Sequence, residues 1–194
     1  VAITYQSAGT VATSAGSSIS VAYPASVAAG DALVLVIGMK PSTANSGNLG
    51  GVPDGWTFHT SVIGGGYGAT LGADTGNTIL FLLYRPASGS ETGSLAVPLS
   101  NNNVSWGQMY RLSKDVSTDL WAITASIAED TTSGNVSATF DADVRVTAGD
   151  LVFVAMCTPT DVGGGSQFSA EAVSMPGVTF GTVTEISEPT SSLN

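Results

Sequence analysis

Apolar residues in this chain fall into short runs, each closed by glycine, serine, threonine, asparagine or proline. Almost nowhere do they recur at helical spacing over about eleven positions, so the pattern predicts strands. The predicted strands cover residues 2–6, 19–23, 32–39, 57–63, 78–85, 93–99, 105–112, 120–127, 135–140 and 151–157, with a late pair around 178–186. Short strands at regular spacing with turn residues between them predict an all-β fold, an antiparallel β-sandwich of jelly-roll-like form. Runs such as "LVLVI" and "ILFLL" are apolar on both side-chain faces, as strands covered on each side should be. "SWGQMYRL" and "SATF" alternate, which predicts half-exposed strands. The stretches at 42–51 and 64–77, rich in glycine, serine and asparagine, are expected to be surface loops.

One phrase occurs twice. "VAAGDALVLVIGMKPST" begins at Val27, and "VTAGDLVFVAMCTPT" begins at Val146. In each copy a Gly-Asp pair, Gly30-Asp31 or Gly149-Asp150, precedes an apolar strand. A proline-glycine turn then leads to an aromatic-bearing strand, through Pro53-Asp54-Gly55-Trp56 in one copy and Pro176-Gly177-Val178 in the other. Gly-Asp supplies a tight turn whose carboxylate can bond nearby backbone, and proline with glycine supplies another. This predicts an internal repeat of one β-supersecondary unit, with residues 1–128 as a first sandwich unit and 129–194 as a second, related unit. The second copy reads as unfinished. Its missing strands are expected either from a continuation of the chain or from another chain.

Composition narrows the field of function. Of 194 residues 43% are hydrophobic, enough for a proper core, and only 10% are charged, against about 25% in an average domain. The five basic residues, Lys40, Arg85, Arg111, Lys114 and Arg145, are scattered through a chain of net charge −10. Nucleic acid and an anionic membrane surface both demand clustered positive charge, so neither is an expected partner. No apolar run approaches the roughly 18 residues of a membrane-spanning helix. Cys157 is the one cysteine and lies in an apolar run, where it reads as a small buried hydrophobe.

Candidate chemistry is sparse. His59 is the only histidine, on a strand where alternation sets it opposite Phe58, and it reads as a polar surface residue. Zinc has no His/Cys cluster to hold it. Most carboxylates, Asp31, Asp54, Asp74, Glu91, Asp115, Asp130, Asp150 and Asp161 among them, fall at turn-like places and read as turn-forming. No cofactor is expected. Calcium is the better of the acidic hypotheses, with oxygen-rich loops at 72–77 and 140–144, although no EF-hand spacing appears. The glycine-rich 63–72 stretch lacks the Gly-Lys-Ser/Thr ending of a phosphate loop. Asn103 and Asn135 each open an Asn-Val-Ser triplet of the glycosylation pattern. Trp56, Trp106 and Trp121 could stack on sugars if exposed, but large aromatics on strands read first as core.

The succession Gly30-Asp31, apolar strand, Pro53 to Trp56, a strand ending in Tyr84-Arg85, a small-residue loop and "WGQMYRL" resembles a β-sandwich module of bacteriophage tail-fibre, head-fibre and other virion surface proteins. The resemblance covers residues 23–112, and the second copy more loosely, with Val178 where the module has tryptophan. It implies a non-enzymatic structural protein at the virion surface, a capsid decoration or fibre component. Its implied partners are copies of itself, other virion proteins and a host surface glycan. The alternative is an extracellular or cell-surface bacterial adhesin or carbohydrate-binding module. A polysaccharide-degrading enzyme is a third reading, which needs two carboxylates facing across a cleft.

Overall fold

A computed structural model describes residues 1–43, 46–64, 76–116, 120–129, 139, 145–158 and 172–186. Among the described residues nine strands follow one another: β1 (Ile3–Ala8), β2 (Ala12–Ser14), β3 (Ser18–Ala22), β4 (Ala32–Pro41), β5 (Asn48–Leu49), β6 (Thr57–Gly64), β7 (Thr78–Pro86), β8 (Ser94–Ser100) and β9 (Asn102–Lys114). No helix occurs among the described residues. One sheet runs β1-β9-β4-β7-β6, with β2 also paired to β9, and a second runs β3-β8-β5. Every named pairing is antiparallel, and the two sheets pack face to face as a β-sandwich.

The sandwich is organised on β4, whose ten residues are all buried. Its alternation divides them cleanly between two cores. Leu33, Leu35, Ile37 and Met39 face the small sheet and meet Ile19, Val21, Val97 and Leu99, joined by Ile79, Phe81, Leu83 and Met109 from the neighbouring strands. Ala32, Val34 and Val36 face the other way, into a cluster with Tyr110 and Leu112 that Trp121, Phe153, Ala155 and Ile186 overlay. Gly107 on β9 marks a close approach of the sheets. A Cβ there would stand 2.9 Å from Val21 Cγ2 and 3.2 Å from Ile19 Cδ1, so a larger residue needs these side chains to give way.

The structure departs from the sequence reading in several places. β9 is longer than the predicted 105–112 strand and largely buried on both faces, where half-exposure was expected. Several of its buried polar side chains are satisfied internally, while Asn102 Oδ1 is buried with no partner. Gln108 Nε2 donates to the Gly9 carbonyl at 2.9 Å, Tyr110 Oη donates to Gln108 Oε1 at 3.0 Å, and Arg111 pairs with Asp31. Burial of such groups costs little once each has a partner. β2 and β5 were not anticipated, and β5 lies inside the expected 42–51 loop. The predicted strands at 120–127, 151–157 and 178–186 form no ladder among the described residues, apart from an isolated bridge between Met175 and Val178. These segments contribute side chains to the outer core, and Ile3 N–H on β1 donates to the Gly149 carbonyl at 3.0 Å. Of the predicted 135–140 strand only residue 139 is described, and the loop at 65–75 lies outside the described residues.

Both copies of the repeated phrase form the same two turns. Asp31 N–H donates to the Ala28 carbonyl at 3.2 Å and Asp150 N–H to the Thr147 carbonyl at 3.1 Å. The third residue is Gly30 (φ 88°) or Gly149 (φ 97°), the conformation a type II turn reserves for glycine. Each aspartate then accepts from the backbone that opens its own turn, Ala28 N–H at 2.8 Å and Thr147 N–H at 2.7 Å. The later turns match as well, with Trp56 N–H donating to Pro53 and Val178 N–H to Met175, both at 3.1 Å, around Gly55 and Gly177. β4 follows the first Gly-Asp turn, whereas the segment after the second carries no ladder among the described residues.

If the core is centred on β4, truncating Leu35, which is fully enclosed, should lower the unfolding free energy by about 2–5 kcal/mol. Val152→Ala, at a side chain 39% exposed in the overlying segment, should change it by less than about 0.5 kcal/mol. Urea denaturation of the two variants beside the parent chain checks both.

Candidate functional site

The residues of the distinctive succession converge at the end of the sandwich where β4 begins. Leu33 pairs with Arg85 on β7 and with Arg111 on β9, so the two arginines flank one leucine and share its side of the sheet. Each has its own carboxylate. Arg111 Nε meets Asp31 Oδ2 at 2.6 Å, and Arg85 Nη2 meets Glu91 Oε1 at 2.9 Å, with both carboxylates buried. The guanidinium of Arg85 also stands 5.9 Å from the Trp56 ring centre, within reach of a cation–π contact. Backbone ties draw the loops together. Gly30 N–H donates to the Ala87 carbonyl at 3.1 Å, and Ala87 N–H returns to Asp31 at 2.8 Å. Trp121 Nε1 donates to the Gly30 carbonyl at 2.9 Å, and Lys114 Nζ lies 5.0 Å from the Trp121 ring centre.

Glu91 organises the loop between β7 and β8. Its oxygens accept from Ser88 N–H at 2.7 Å, Ser88 Oγ at 2.9 Å and Gly89 N–H at 2.8 Å, besides Arg85. Burial by itself pushes its carboxyl pKa up, but the hydrogen bonds from the Ser88, Glu91 and Gly89 backbone and the Ser88 hydroxyl outweigh it, leaving the group below its ordinary 4.5. The charged form is the one this loop is built around. Chemically the end is a frame of compensated charges, suited to holding the Gly-Asp turn, the Pro53–Trp56 turn and the β7–β8 loop in fixed relation.

The three tryptophans singled out in the sequence do not share one surface. Trp56 is buried among the residues between the sheets, while Trp106 and Trp121, both half-buried, pack against the outer cluster on the opposite face of the large sheet. Trp106 lies across Gly38, its partner in the register, where a Cβ would run into the indole. His59 is the extra residue in a bulge between Phe58 and Thr60, and its ring stands edge-on to Tyr84 with centres 5.7 Å apart. Cys157 turns towards the large sheet. Burial pushes its thiol up to about 11, more than the contacts with Thr78 and Trp106 pull it down, so the reactive thiolate is scarce at neutral pH.

Among the described residues no three His, Cys, Asp or Glu side chains gather into a set that could hold a metal ion. The calcium expectation rested on residues 72–77 and 140–144, of which only Gly76 and Asn77 are described. Asn103 is exposed on β9, and Asn135 lies outside the described residues. A shallow groove of about 540 Å³ runs along residues 172–183 and is lined by that segment alone. Its walls, Met175, Val178 and Phe180 among them, include no charged side chain to orient a ligand.

Sequence reasoning missed the partners of Asp31 and Glu91, and it missed Asn77. That asparagine is fully buried at the start of β7 with neither amide atom hydrogen-bonded. Comparison with family models, with curated proteins and with solved structures returns no match.

Two outcomes are expected here. The Glu91 carboxylate contributes stability that is present above its unfolded pKa and is lost as pH falls through the lower folded value. Urea titrations should therefore show the parent losing more stability than Glu91→Gln as pH drops below about 4.5. Cys157 should react slowly with a thiol reagent at pH 8 in the native chain and at the rate of a free cysteine after denaturation.

Proposed function

We propose that this chain is a non-enzymatic structural protein of a phage virion, a capsid decoration, head-fibre or tail-fibre component that works by self-assembly and surface display. The observation that carries the reading is the convergence of the distinctive residues. Gly30-Asp31, Pro53 to Trp56 and Arg85 occupy different loops and strands in sequence, yet meet at one end of the sandwich around Leu33. Such an end is rigid for a reason visible in its contacts, since two carboxylates, two arginines and the turn backbones satisfy one another. A rigid end is what a displayed module needs. The alternation of consecutive strands between the sheets, β3 in the small one, β4 in the large, β5 in the small, β6 and β7 in the large, β8 in the small and β9 in the large, supports a jelly-roll form. The recurrence of both turns around Gly149 and Gly177 supports duplication of a common unit.

The low charge and the small residues of the chain favour close packing among copies, where repetition of one contact supplies the affinity. A bacterial adhesin or carbohydrate-binding module is the alternative, and it needs an aromatic platform at the surface. The burial of Trp56 and the separation of the other two tryptophans onto the opposite face favour the structural reading over it.

The reading is tested on particles purified from the culture that expresses the chain. Mass spectrometry should find its peptides in fixed proportion to a major capsid or tail protein, and antibodies against the chain should label particle exteriors. Absence from all particles, together with binding of the free chain to an array of bacterial glycans, would establish the alternative.

A further inference from the structure

The second Gly-Asp turn is fastened to the sandwich. Ile3 N–H at the start of β1 donates to the Gly149 carbonyl at 3.0 Å, and Gly149 lies so close to the Val1 carbonyl oxygen that a Cβ there would collide with it. Asp150 braces the turn from within, accepting from Thr147 N–H at 2.7 Å and Thr147 Oγ1 at 2.9 Å. Beyond this base, residues 151–157 cross the outer face of the large sheet. Phe153 stands edge-on to Tyr110 with ring centres 4.9 Å apart, Ala155 joins the same cluster, and Cys157 turns its thiol onto Thr78 and Trp106. Val152, Val154 and Met156, between these contacts, are 39%, 41% and 37% exposed.

β4 supplies the comparison within the chain. It follows the first copy of the same turn with equally apolar residues, and all ten of them are buried. Drawing β4 out would wet both of its faces and break the large sheet, whereas lifting residues 151–157 wets only the face that rests on the sheet. The free energy of an opening grows with the apolar area it exposes, so these two events lie on different levels.

We propose that residues 151–157 form a strap, anchored at the Gly149 turn and latched at Cys157, that lifts from the large sheet while the sandwich beneath stays folded. Lifting it uncovers Tyr110 and the part of the outer cluster on which Phe153 and Ala155 rest. The strap is thus a gate: the sandwich carries an apolar face that it shows only while the strap is up.

Cys157 is the one cysteine of the chain, and its thiol becomes reactive when it is withdrawn from Thr78 and Trp106. Where reclosure is faster than labelling, the labelling rate follows the population of the open form. Reaction with a disulfide reagent at pH 8, in urea below the unfolding transition, should therefore run faster than the global unfolding equilibrium allows. It should depend only weakly on urea, since little surface is exposed. Phe153→Ala should speed it about tenfold. Leu35→Ala weakens the core between the sheets in the open and closed forms alike, so it should lower the unfolding midpoint and leave the labelling rate unchanged. Ile37→Val takes its place if that variant does not fold. A labelling rate that rises in the core variant by the same factor as the unfolding equilibrium means that strap and sandwich open as one unit, and overturns the proposal. The full urea dependence of unfolding would do the same. So would fast labelling that Phe153→Ala does not change, because the thiol is then reached with the strap in place.

Discussion

β4 has to be dry on both faces and bonded along both edges, and most of the molecule is arranged to meet that demand. Seven of its ten residues are Ala, Leu, Val, Ile or Met on alternating sides, so a single covering layer leaves half of them in water. The small sheet covers one side, and β7 and β9 saturate the backbone. The remaining side falls to the side chains of residues far along the chain, Trp121, Phe153, Ala155 and Ile186. Buried area, more than any specific polar contact, therefore decides where the later part of the chain rests.

The polar groups follow from that apolar plan. Where β4 begins, its neighbours end in arginines, and an arginine beside a sealed core needs a charged partner close at hand. Asp31 and Glu91 supply it, each already engaged in shaping a turn. One carboxylate thus holds a loop and neutralises a strand end together. Losing it would disturb two structural levels at once, which sets it apart from an exposed surface pair.

How much of this could be read beforehand depends on the length scale of each cause. β4 and β7 were legible because a long apolar run is its own evidence, and the Gly-Asp turns because four adjacent residues fix their shape. β2 and β5, three and two residues of mostly polar text, have no such local mark and exist because β9 and β8 offer them an edge. The burial of Gln108 and Arg111 was hidden for a similar reason, since their partners Gly9 and Asp31 stand 99 and 80 positions away. Residues 151–157 differ from their reading, strand-like sequence that forms no ladder among the described residues, since a local pattern does not name a neighbour. The end of the sandwich around Leu33 was visible as separate turns, and only the register of β7 and β9 brought them together.

The position of β9 in the sheet carries a consequence for biogenesis. β1 and β2 have no other partner in the large sheet, and one edge of β4 stays open until β9 arrives. When Ser100 has emerged from the ribosome, eight strands are out with no closed barrier against water. The nascent chain must hold its most apolar strand half-covered through that interval, and then close several distant pairings in one event. Long-range closure of this kind is slow. Only 10% of the residues are charged, so few charges stand between this half-covered strand and the apolar segments of a neighbouring nascent chain.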